Sequence, residues 1–63
     1  MGNYWIVHHR HLTPFIIRRI EVMQQVGYLK EEARAEDNIY LKIIGGKKQY
    51  QDAVEILMNE TKG

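Results

Sequence analysis

Apolar and polar residues alternate along Asn3-Tyr4-Trp5-Ile6-Val7-His8-His9, take a helical spacing after Thr13, and alternate again over Ile39–Ile44. A period of two puts Trp5, Val7 and His9 on one face of a first strand and Tyr4, Ile6, His8 and Arg10 on the other. Both faces are partly apolar, as expected of a central strand. Thr13-Pro14 marks a helix start. The threonine hydroxyl can accept from first-turn amides, and proline at the first helical position gives up a donor that has no partner there anyway. Gly27 supplies the stop, because glycine tolerates the left-handed conformation that ends many helices. Between them Phe15, Ile16, Ile20, Val22, Met23 and Val26 share one arc at about 100° per residue. Arg19 falls inside that arc and Ile17 outside it, so Arg19 either runs its stem along the core edge or meets an acidic partner.

The stretch from Tyr28 to Asp37 reads two ways. Leu-Lys-Glu-Glu-Ala-Arg-Ala-Glu has helical propensity and no β-branched residue. As a strand it would turn Leu29, Ala33 and Ala35 inward, with Glu31 an awkward member, and Tyr28, Lys30, Glu32 and Arg34 outward. The strand is preferred because Glu36-Asp37-Asn38 then makes a hairpin turn into the next strand. Ile39, Leu41 and Ile43 face one way on that strand, and Tyr40, Lys42 and Ile44 the other. Gly45-Gly46 breaks it. A closing helix runs from about Lys47 to Glu60, with Tyr50, Ala53, Val54 and Leu57 as its buried stripe and Ile56 and Met58 flanking.

The pattern predicts an α+β fold in the order β-α-β-β-α, a three-stranded antiparallel sheet with both helices on one face. The alternative, with a short helix over residues 29–37, is β-α-α-β-α. The preferred order resembles a ferredoxin-like βαββαβ unit that stops before its last strand, with strand one central. The strand-glycine-helix close is loosely similar to the end of a KH domain. The loop between helices of that domain is absent, as are the signature sequences of RNA-recognition motifs.

Composition narrows the function. A chain of 63 residues makes one small domain that buries only roughly 60% of its unfolded surface. Domains of this size usually gain support from a disulfide, a metal or a second subunit. Cysteine is absent, which excludes disulfides, thiolate metal sites and thiol catalysis and leaves self-association as the favoured support, as a dimer. No apolar run is long enough to span a membrane, and the expectation is a cytoplasmic protein. Nine basic and eight acidic residues give a formal charge of +1, too little to demand a polyanionic partner.

Catalysis finds no support in the residue set. Serine is absent, Thr13 is taken up as a cap, and the neighbouring Glu31 and Glu32 would point to opposite faces of a strand. A Ser-His-Asp arrangement and a facing carboxylate pair are both ruled out. His8-His9-Arg10-His11 suggests a metal, with His9 and His11 on one face if the strand continues, but no third or fourth ligand completes a zinc site. No cofactor is expected. Gly45-Gly46-Lys47-Lys48 at a helix start resembles an anion contact. It lacks the spacing and the hydroxyl of a phosphate-binding loop.

The uncovered sheet face is the remaining candidate. It would carry Tyr4, His8, Tyr28, Tyr40 and Lys42, with Arg10 and Arg34 at its rim. This predicts a non-catalytic interaction module, a regulator or inhibitor that docks on a larger protein and associates with itself by pairing Asn3–His9 edges or burying Tyr40 and Ile44. A single-stranded RNA-binding domain that stacks bases on Tyr4 and Tyr40 is the alternative. A histidine-rich metal-binding protein is a more remote one.

Overall fold

The computed structural model describes residues 3–35 and 37–62. The elements run β1 (Tyr4–His8), a 3-10 turn (His9–His11), α1 (Pro14–Gln25), β2 (Leu29–Arg34), β3 (Asn38–Ile43) and α2 (Lys47–Thr61). The expected β-α-β-β-α order is therefore present, and residues 29–34 form a strand rather than a helix. The three strands make one antiparallel sheet in the order β1-β3-β2. That is the ferredoxin-like arrangement without its fourth strand.

The centre of the sheet is β3, not β1. Tyr4 and Ile6 give β1 apolar character on both faces, but β1 pairs with β3 alone and stands at one end of the described sheet. With β3 between them, β1 and β2 run parallel to each other, and α1 makes the crossover.

Local chemistry explains the helix boundaries. The Thr13 hydroxyl accepts from the Ile16 amide at 3.2 Å, and Pro14 opens α1. Gly27, at φ +84°, turns the chain out of the helix. The Tyr28 amide bonds the Met23 carbonyl at 2.9 Å, which leads the chain directly into β2. At the other hairpin Ala35 and Asn38 exchange backbone hydrogen bonds of 3.0 and 3.3 Å; Glu36, in the expected turn, lies outside the described residues.

The core is small. Ile20, Val22 and Met23 of α1 meet Leu29, Ile39 and Leu41 of the sheet and Ala53 of α2. Trp5, Val7, Ile43, Leu57 and Ile56 close round them, half-buried. Phe15, expected in the buried arc, is instead 78% exposed. It sits in the first turn of α1, and no element among the described residues covers it. Ala53 is the only fully buried residue described in α2. This helix leans on α1, with the bidentate ion pair from Arg18 to Glu60 tying the two together (3.1 and 3.2 Å from Nε).

A bulge in β2 changes which side chains share a face. Leu29, Lys30 and Glu31 pair with Ile43, Lys42 and Leu41, but Ala33 and Arg34 pair with Tyr40 and Ile39, so Glu32 is an extra residue. An inserted residue shifts the alternation by one. Ala33 therefore comes out on the open face and Arg34 turns to the helix face, the reverse of the simple alternation. There Arg34 grips Glu31 with bonds of 2.8 and 3.2 Å. The awkward inward carboxylate is thereby neutralised, and Arg34 holds it below the usual carboxylate range.

Candidate interaction surface

Cross-strand pairing arranges the open face in rows. Tyr4, Lys42 and Lys30 form one row across the three strands, and Ile6, Tyr40 and Ala33 form the next. His8 stands opposite Asn38 at the far end. Four of the expected contact residues, Tyr4, His8, Tyr40 and Lys42, are thus on one surface. The sequence-derived register is the one observed, with Trp5 and Val7 on the helix side beside Leu41 and Ile39.

The cationic row has an internal conflict. Lys30 and Lys42 are directly opposite, and like charges in that position repel. Glu32, the bulged residue, is engaged by Tyr4 rather than by either lysine. Its carboxylate accepts from the Tyr4 hydroxyl at 3.4 Å, a long and weak bond. Beside this row the surface is apolar, with Ile6 61% exposed.

Three expected contact residues lie off this face. The Tyr28 ring turns toward the helices, packing edge-on against Trp5 at 6.0 Å and Tyr50 at 5.2 Å. The reversal at Gly27 and the close seating of Gly45 set this placement. A Cβ on Gly45 would stand 2.6 Å from the Gly27 carbonyl oxygen and 2.8 Å from Tyr28 Cα. Arg34 points to the helix side, as the bulge dictates. Arg10 sits in the 3-10 turn beyond the end of β1, exposed.

The strand does not continue through the histidines, so His9 and His11 do not share a strand face. The turn instead brings His8 and His11 together, ring centroids 5.8 Å apart. His8 Nδ1 accepts from the Arg10 amide at 3.1 Å, which occupies one of its two ring nitrogens. Among the described residues no group of three or more His, Asp or Glu side chains could hold a metal ion.

The glycine-lysine start of α2 is occupied by its own side chains. Gln49 Oε1 accepts from the Gly46 amide at 2.8 Å, half of a capping box, and Lys48 lies 3.3 Å from Asp52. Gly45 is explained by the backbone contact above. Lys47 is exposed, in a first helical turn that contains no acidic residue.

Sequence reasoning missed a groove on the helix side of β1. It has a volume of about 930 Å³ and is lined by Trp5 and Val7 below, Phe15 and Ile16 on α1, and Leu57 and Met58 on α2. Ile6 and His8 reach it from the strand edge, and Arg18, Arg19 and Glu60 stand at its rim. The exposed Phe15 and Met58, at 78% and 59%, are part of this lining. One sign was available: two helices with apolar stripes broader than a three-stranded sheet can cover. No protein-family model, curated protein or solved structure matches the chain. Among the described residues no helix is long and apolar enough to cross a membrane.

Proposed function

We propose that the chain is a non-catalytic interaction module that docks on a larger protein through its open sheet face, as a regulator or inhibitor, and also associates with itself. The supporting observation is the composition of that face. An apolar row through Ile6 and Tyr40 runs beside a row in which Tyr4, Lys42 and Lys30 stand abreast. An exposed apolar patch rimmed by polar residues marks an interaction surface. The two facing lysines would be relieved by a carboxylate of the partner placed between them, which favours a protein with an acidic residue beside an apolar patch. Tyrosines supply the larger share of interface energy once desolvated.

Affinity capture from the native host tests this reading, using the intact chain, Tyr40→Ala and Lys42→Glu, with and without nuclease. The expected result is a nuclease-resistant protein retained by the intact chain and lost with Lys42→Glu. Capture that nuclease abolishes, with affinity falling steeply as salt rises, would replace this reading by the single-stranded RNA one.

A further inference from the structure

We propose that β1 pairs antiparallel with β1 of a second copy about a two-fold axis through Ile6, joining two three-stranded sheets into one continuous sheet. This deepens the self-association part of the function proposed above. The open-face contact with a larger protein does not depend on it.

The backbone of β1 supplies the first reason. The Ile43 amide donates to the Asn3 carbonyl at 2.7 Å, and the His9 amide to the Asp37 carbonyl at 2.6 Å. In an antiparallel ladder, residues that bond the neighbour alternate with residues that face away from it. Asn3, Trp5, Val7 and His9 are therefore directed at β3. Tyr4, Ile6 and His8 present their N–H and C=O groups along the opposite, unpaired edge. Among the described residues no backbone group of another element bonds these three.

The chemistry of that edge supplies the second. Proteins guard exposed edges with charge, proline or a bulge, because an open row of donors and acceptors templates pairing with another strand. From Asn3 to His9 the chain has no Lys, Arg, Asp, Glu or Pro, and the β1 register is unbroken. The other edge is guarded: β2 has four charged residues in Leu29–Arg34 and the bulge at Glu32.

Self-complementarity supplies the third, and selects the second copy as occupant. Placing Ile6 opposite the second copy's Ile6 sets Tyr4 against its His8 and Trp5 against its Val7. This is the one two-fold register in which Tyr4, Ile6 and His8 all bond one another, with two hydrogen bonds per facing pair. No like charges are opposed in it. The apolar row Ile6–Tyr40–Ala33 becomes continuous across the axis, and the two grooves meet beside Trp5 and Val7.

Because the chain lacks cysteine, a single introduced thiol reports the contact cleanly. In this register the two Ile6 Cα atoms sit about 5.5 Å apart, within the roughly 4.4–6.8 Å that a disulfide needs. Ile6→Cys should oxidise to a covalent dimer, while Ile44→Cys, exposed just past the end of the central strand β3, should not. Light scattering of the unmodified chain at high micromolar concentration should give twice the monomer mass. Ile6→Lys and Ile6→Glu should each halve that mass, and an equimolar mixture should restore it. Ile6→Pro removes only an outward-facing donor, so it should give a folded monomer by circular dichroism. A monomeric parent chain would overturn the proposal, as would a dimer that survives Ile6→Lys and Ile6→Pro. A dimer abolished by Tyr40→Ala with the fold intact would also overturn it, by moving the contact to the open face. A dimer that persists in Lys42→Glu while protein capture is lost separates the two contacts.

Discussion

The two edges of this sheet hydrogen-bond to the same central strand and differ in nearly every other respect. Along β1 the residues are Tyr-Trp-Ile-Val-His, regular in register and without a formal charge at neutral histidine; along β2 they are Leu-Lys-Glu-Glu-Ala-Arg, bulged and charged. Helix packing differs too: α1 lies against β2, whereas the groove lined by Phe15 and Met58 stays open beside β1. A strand edge can remain free in solution only if something makes pairing costly. On β2 the bulge and the Glu31–Arg34 ion pair do so. On β1 nothing comparable is present, so the proposed association falls to that side.

The largest change should come from removing what both edges share. Leu41 is fully buried in β3 and pairs with Trp5 on one side and Glu31 on the other. Leu41→Ala should cost about 2–5 kcal/mol, enough in so small a core to unfold the chain in a thermal or denaturant melt. An unaltered melt would mean that the sheet is not held through β3.

A smaller but more pointed change removes the guard on β2. Deleting Glu32 restores a continuous register, and adding Lys30→Thr lowers the charge on that strand. With both edges open, pairing no longer closes on itself and growth becomes open-ended. Light scattering should then show mass rising with concentration rather than levelling at a dimer. A plateau would indicate that the bulge and charge do not guard the edge.

The smallest effect is electrostatic. Arg34 holds the Glu31 carboxyl, and Arg18 the Glu60 carboxyl, below the ordinary value of 4.5. A carboxyl whose folded pKa is depressed contributes stability that is fully present above its unfolded pKa and is lost as pH falls through the folded value. Thermal stability should therefore be level from neutrality to about pH 5 and decline below 4.5. Both pairs are exposed, so the decline should be slight and should shrink in high salt. Glu31→Gln should remove part of it.

The sequence predicted some of these features and missed others for identifiable reasons. Thr13-Pro14 and Gly27 mark α1 because capping chemistry is local, and Ile39, Leu41 and Ile43 mark the buried face of β3 because alternation is local as well. Strand order is not local. Tyr4 and Ile6 made β1 look central, although the same apolar residues serve equally well on an edge awaiting a neighbour. The bulge was hidden because a period of two contains no term for an extra residue. A clue lay in Glu31, which needs a cation on its own face; Arg34, three positions on, reaches that face only if one residue is skipped. The same shift removed Arg34 from the expected contact surface. Tyr28 was lost to it by the turn at Gly27, which no alternation argument tracks through a left-handed residue.

Amide hydrogen exchange across a concentration series compares the two edges residue by residue. On β1 the amides of Tyr4, Ile6 and His8 face away from β3, and on β2 those of Glu31 and Arg34 do. In dilute solution both sets should exchange rapidly. As concentration rises, the β1 set should become protected, Ile6 most of all, while Glu31 and Arg34 remain fast. Protection that appears on β2, on both edges alike, or on neither would contradict the assignment of association to β1.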